Sequence, residues 1–170
     1  MKLLRPLLFF CLFAVFALPL FPQDFLIRVD FDEYKLYLIN DTGIILAAYP
    51  VAIPYFSPNY LPAYGNVTGI EKKPYWYPTE KTRLHYLEMH GIDLPKIVAP
   101  DDPRNAMGVV QIIIRFDSPD INPLYRIHGT NDDSSIGKKA TSGCIRMHNK
   151  DILQLINYID GKQVRVLFEW

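Results

Sequence analysis

Nine of the chain's 14 prolines fall between residues 50 and 103, interleaved with Tyr55, Tyr60, Tyr64, Trp76 and Tyr77. Proline has no backbone N–H to give to a sheet ladder, so this stretch cannot be regular sheet throughout. Two readings fit it. It is an ordered surface loop pinned by its aromatic side chains, or it is one wall of a substrate cleft carried on a rigid scaffold.

The flanking sequence reads mainly as strands. Phe25 to Val29 and Tyr34 to Ile39 are short apolar runs, Asn40-Asp41-Thr42-Gly43 is a turn, and Ile44 to Ile53 reads as the returning strand of a hairpin. Val109 to Phe116 is an apolar strand candidate, and Leu124 to Ile127 leads straight into His128. A polar, helix-like stretch covers Thr82 to His90. The clearest helix follows Met147, with Asn149 placed to cap it, Asp151 in its first turn, and Ile152, Leu155, Ile156 and Ile159 at helical spacing. Gly161-Lys162 ends it, and Gln163 to Phe168 gives a last strand. The fold class is mainly β with a helix near the C-terminus (α+β).

The N-terminus reads as an export signal. Lys2 and Arg5 precede an apolar run from Leu7 to Leu20 that is short for a membrane span. Residues 1–22 are therefore expected to be a signal sequence or, uncleaved, an N-terminal anchor, with one domain over residues 24–170. That length supplies one ordinary core. Residues 1–22 hold two of the 18 basic residues and none of the 18 acidic ones, leaving the remainder at net −2. Nothing in that balance points to nucleic acid or to an anionic membrane as a partner.

Export leaves Cys144 without an intramolecular disulfide partner, because the other cysteine, Cys11, lies inside the apolar N-terminal run. An unpaired cysteine can be a small buried apolar residue. The local sequence favours a reactive thiol. Gly143 lets the backbone turn and approach a ligand, and consecutive N–H groups there can form an oxyanion hole. Arg146 is always cationic and can favour a thiolate or hold a substrate carboxylate. His128 precedes Cys144 and can take its proton.

The pattern His128-Gly129-Thr130, a spacer, then Thr141-Ser142-Gly143-Cys144-Ile145-Arg146-Met147 resembles the catalytic motif of the L,D-transpeptidase family, also called YkuD-like or ErfK/YbiS-like. Asn105-Ala106-Met107-Gly108 is similar to a family loop that usually carries proline where Ala106 stands, a departure that predicts a less rigid loop. Trp76-Tyr77-Pro78-Thr79 is similar to a segment of the ErfK/YbiS-type members. The resemblance covers most of residues 24–170. It implies a mixed β-sandwich with one packed helix. It also implies Cys144 as nucleophile, His128 as general base and the Gly129 carbonyl as the acceptor that orients the imidazole. Thr130, Thr141, Ser142, Gly143 and Arg146 become candidate oxyanion or substrate-binding residues.

The implied substrate is the peptidoglycan stem peptide, cleaved before a terminal D-alanine through a cysteine thioester. An amine acceptor then gives a 3→3 cross-link or attachment of another envelope molecule. Water as acceptor would make the protein an L,D-carboxypeptidase, and a non-catalytic wall-binding module is a third possibility. The location implied is the periplasm or cell envelope, with a membrane tether only if the signal is uncleaved. The resemblance implies no organic cofactor, and it implies acylation of the cysteine by carbapenem-type β-lactams. His85 and His90 read as solvated, and His148, four residues after Cys144, as a bystander at the edge of the cleft. One cysteine and scattered histidines do not make a zinc site.

Overall fold

A computed structural model describes residues 23–56, 58–121 and 125–170. The expected signal or anchor, Cys11 and Leu124 lie outside the described residues. Within them the chain runs β1 (Phe25–Asp30), β2 (Lys35–Asn40), β3 (Ile45–Pro54), β4 (Ala63–Lys72), α1 (Glu80–His90), β5 (Val110–Phe116), β6 (Tyr125–His128), β7 (Lys139–Thr141), β8 (Ile145–Met147), α2 (Asn149–Ile159) and β9 (Val164–Glu169). A single 3-10 turn, Asp133–Ser135, precedes β7.

The strands form one mixed sheet in the order β2-β1-β9-β4-β5-β6-β8-β3-β7, and a further β2–β3 pairing closes it on itself. The result is a barrel-like sandwich, mainly β. Three of its ladders are parallel, β1 on β9, β3 on β7 and β6 on β8, and the last sets the geometry described below. β3 makes the closure possible because it is long and bends. Its first half lies on β2, Val51 and Ala52 lie on β8, and Ile53 and Pro54 reach β7.

Alternation along the strands fills the interior. Ile27 and Val29 of β1, Leu36 and Leu38 of β2, Ile112 and Ile114 of β5, and Val164, Val166 and Phe168 of β9 are all buried. α2 inserts Ile152, Leu155, Ile156 and Ile159 into the same core. Burying each such side chain contributes about 1.5–3 kcal/mol relative to leaving it in water.

The proline-rich stretch holds two elements. β4 occupies the proline-free run between Pro62 and Pro74, where glycine, asparagine, threonine and glutamate hide the apolar alternation of a strand. The polar stretch near residue 82 is helical from Glu80. Thr79 caps it by accepting the Thr82 N–H at 3.1 Å, and Gly91 closes it in the left-handed region at φ 65°. No α1 residue is buried, so α2 remains the packed helix. The start of α2 differs from expectation. His148 occupies the cap position and Asn149 is the first helical residue, its side chain turned away from the helix toward the β4–β5 connection and the loop after β6.

Candidate active site

The parallel β6–β8 ladder builds the site. Ile127 stands opposite Ile145 and His128 opposite Arg146. Successive side chains alternate, so Ile127, Ile145 and Met147 enter the core while His128 and Arg146 share the other face. Cys144 immediately precedes β8, and the same register puts it opposite Arg126. The short spacing between the two motifs in sequence thus becomes adjacency across one pair of strands.

His128 is buried, with 5% of its surface exposed. Its Nδ1 lies 2.7 Å from the Gly129 carbonyl oxygen, which can only accept, so Nδ1 carries the proton and Nε2 holds the basic lone pair. Burial first, and then the Arg146 charge, push the imidazole down to about 4, against the pull of the Gly129 and Ala106 carbonyls. Cys144 is partly exposed. Burial raises its thiol, while the Arg126 charge, the Arg126 backbone N–H and the Arg146 charge pull the other way. At neutral pH the resting site therefore holds a thiol and a neutral imidazole rather than a preformed ion pair. Among the described residues no hydrogen bond joins the Cys144 thiol to the His128 ring, a looseness common before substrate binds.

The turn before Cys144 is held by Thr141. Its buried hydroxyl donates to the Cys144 carbonyl at 2.5 Å and accepts the Gly143 N–H at 3.4 Å. Ser142 is exposed. A Cβ added at Gly143 would meet nothing within 4 Å, and Gly143 is not among the glycines with positive φ. Open space, rather than an unusual turn, is what this glycine provides beside the thiol.

Arg146 donates from Nη1 to Ser135 Oγ at 2.9 Å, and its Nε is buried with no hydrogen-bond partner among the described residues. Among the described residues no carboxylate pairs with it. Thr130 is buried, and its hydroxyl is engaged within its own turn, accepting from the Asp132 N–H at 2.9 Å and donating to the Asp132 carbonyl at 3.1 Å. It ties the loop after β6 to Asp132.

Sequence reasoning missed Asn149 as a site residue. Its Oδ1 accepts from the N–H groups of Thr130 at 3.0 Å and Val109 at 3.2 Å, and its Nδ2 donates to the Thr130 carbonyl at 2.7 Å. The signal available was its place directly after the motif, which also suits a helix cap. Gly129 makes room for Asn149, since a Cβ there would stand 2.2 Å from Asn149 Oδ1. Gly108, at φ +64°, faces the same atom at 2.3 Å.

The 105–108 loop is fixed despite lacking the family proline. Buried Asn105 accepts the Met107 N–H at 2.9 Å and donates to the Pro74 and Ala99 carbonyls, each at 3.0 Å. His148 meets Asp133 at 2.7 Å across a shallow depression of about 320 Å³ that Asn149 and Lys150 also line. His85 and His90 are exposed on α1. Among the described residues no group of three or more histidine, cysteine or acidic side chains could hold a metal ion.

A family model of the L,D-transpeptidase catalytic domain (YkuD) matches residues 24–166. The chain belongs to the L,D-transpeptidase catalytic-domain family. It is 39% identical over 105 residues to the probable L,D-transpeptidase ErfK/SrfK of Salmonella typhimurium, covering 59% of this chain and 31% of that one. It is 31% identical over 153 residues to the probable L,D-transpeptidase YcfS of Escherichia coli K12, covering 88% of this chain and 46% of that one. The chain thus spans from about a third to about a half of the length of these curated relatives.

Among solved structures, Bd1075 of Bdellovibrio bacteriovorus superposes with a TM-score of 0.56 at 15% identity, over 85% of this chain and 47% of that one. L,D-transpeptidase 3 of Mycobacterium tuberculosis, solved with a faropenem-derived adduct, gives 0.56 at 12% identity, over 87% and 61%. At such identities the likeness is one of fold.

Proposed function

We propose that this chain is an exported peptidoglycan L,D-transpeptidase acting through a Cys144 thioester, with residues 1–22 as its signal or anchor. The observation that carries the reading is the placement of His128. Its Nδ1 is fixed on Gly129, and it lies in register with Arg146 on the strand that Cys144 leads into.

Nε2 takes the thiol proton as Sγ attacks the carbonyl before the terminal D-alanine of a tetrapeptide stem. The oxyanion is met by the Cys144 N–H and by the Gly143 N–H, which Thr141 holds only loosely. The C–N bond breaks, and the D-alanine amine leaves with the proton from the imidazolium. An acceptor amine then attacks the thioester, gives its proton to Nε2, and the thiol is restored. Arg146, cationic and without a carboxylate partner among the described residues, suits a carboxylate of the stem peptide. Carbapenem-type β-lactams are expected to acylate the same thiol.

Mass spectrometry of products and protein adducts after incubation with a disaccharide-tetrapeptide tests this. Released D-alanine, a 3→3-linked dimer and an adduct on Cys144, all lost in Cys144→Ala, are the expected result. Release with tripeptide alone reassigns the protein as an L,D-carboxypeptidase. Neither release nor adduct from folded protein means a binding module.

A further inference from the structure

We propose that Gln111 is a positioning residue for His128, its side-chain oxygen supporting the imidazolium that forms when the ring takes the thiol proton. The inference rests on the assignment of His128 and Cys144 given above.

The sheet register draws a row of polar side chains across four strands. Glu71 of β4 stands opposite Gln111 of β5, Gln111 opposite His128 of β6, and His128 opposite Arg146 of β8. Residues opposite one another in a ladder project from the same face. Gln111 and His128 form a narrow pair of their ladder, because the Gly129 N–H bonds the Val110 carbonyl at 3.0 Å just outside them. In such pairs the Cα atoms are about 4.5 Å apart and the side chains are in closest approach.

Glu71 determines which way the Gln111 amide points. Gln111 Nε2 donates to Glu71 Oε2 in a short hydrogen bond. An ionised carboxylate can only accept, so the amide must turn its NH2 toward β4. Its Oε1 is left on the side away from β4, buried and without a hydrogen-bond partner among the described residues, in a residue only 7% exposed. An unpaired buried acceptor costs stability unless something meets it. The group directly across the ladder that gains positive charge during the reaction is His128.

The surroundings of the ring need such support. β8 brings the cation of Arg146 and the thiol of Cys144, and β6 brings the cation of Arg126. The 105–108 loop contributes the Ala106 carbonyl, and α2 contributes only the neutral Asn149 amide at Gly129. Both cations oppose protonation of the ring. The opposing groups are the Gly129 and Ala106 carbonyl oxygens, and on the β5 side stands Gln111 with the exposed Glu71 carboxylate behind it.

The test is the rate of Cys144 alkylation by iodoacetamide on the full chain, resolved by peptide mass and followed from about pH 6 to about pH 10. Near neutral pH alkylation needs His128 to take the thiol proton as the C–S bond forms, whereas at high pH the thiol ionises unaided. Gln111→Leu is expected to slow the neutral arm about tenfold, because it removes a buried dipole beside the developing charge, and to leave the alkaline arm unchanged. Glu71→Gln, a surface change that no longer fixes the amide, is expected to give a smaller fall of roughly threefold. The double variant Glu71→Gln/Gln111→Glu keeps an acceptor across from the ring and restores the neutral arm. Neutral arms within twofold of wild type in both single variants overturn the proposal, as does an equal loss in both arms. His128→Gln separates the two assignments. A neutral arm unaffected by His128→Gln removes His128 itself as the base, while one lost there but kept in Gln111→Leu removes only Gln111.

Discussion

Asn149 and Thr130 clasp each other, the Asn149 Oδ1 accepting the Thr130 N–H at 3.0 Å and its Nδ2 donating to the Thr130 carbonyl at 2.7 Å. With the further bond to the Val109 N–H, one amide ties α2 to both loops that frame His128. Asn149→Leu removes all three bonds and leaves the part-buried Thr130 N–H and carbonyl unpaired. We expect a loss of about 2–4 kcal/mol in urea unfolding, with a larger fractional loss of turnover than of substrate affinity. Unfolding within about 0.5 kcal/mol of wild type would show that the clasp is replaceable.

Gly129→Ala and Gly108→Ala attack the same joint from the other side. Each places a Cβ within 2.3 Å of Asn149 Oδ1. Both variants should be destabilised, and combining Gly129→Ala with Asn149→Ala should recover part of the loss because the obstructing oxygen is gone, whereas Gly108→Ala still meets the Thr130 backbone nitrogen at 2.3 Å with its φ at +64°. Fully additive losses in the Gly129→Ala/Asn149→Ala double variant would mean the contact is not what excludes a side chain.

The His128 ring makes stability depend on pH in a stated direction. Its ordinary value is about 6.5, and in the fold burial, followed by the Arg146 charge, lowers it to about 4. Between those values the unfolded chain binds a proton that the folded chain refuses. The contribution is therefore complete above about pH 6.5 and is lost as the pH falls toward 4, at up to 1.4 kcal/mol per unit and about 3 kcal/mol in total. Urea unfolding across this range should show that slope in the wild type and its absence in His128→Gln. Equal slopes in the two proteins would contradict a depressed ring.

Arg146→Met removes the cation with the larger effect on the ring. The His128 imidazole should titrate higher by NMR, and the KM for a tetrapeptide stem should rise if the guanidinium holds its carboxylate. A ring that titrates unchanged would show that the Arg146 charge does not set it.

Thr141→Val breaks the hydroxyl bond to the Cys144 carbonyl, whereas Thr141→Ser keeps it. Acylation of Cys144 is expected to slow about tenfold in the valine variant and to stay near wild type in the serine variant. Valine and serine variants equally slow would place the effect in packing.

Much of this was legible in the sequence. The strands that carry the core announced themselves by apolar runs between turns, and α2 by Ile152, Leu155, Ile156 and Ile159 at helical spacing. β4 did not, because Gly65, Asn66, Thr68, Gly69 and Glu71 carry no alternation. Its assignment depends on β9 and β5 lying alongside it.

The sequence by itself determined the residue types of the site. A histidine before glycine and a cysteine after glycine with an arginine two residues on are properties of local spacing, and local spacing is what a sequence displays. Only the tertiary structure decided how they meet. The parallel register of β6 and β8 sets His128 beside Arg146, and long-range pairing of this kind leaves no mark on either segment alone. The protonation states of the pair belong to the fold for the same reason. They follow from burial and from two arginines brought close by strand pairing, and neither exists until the chain has closed.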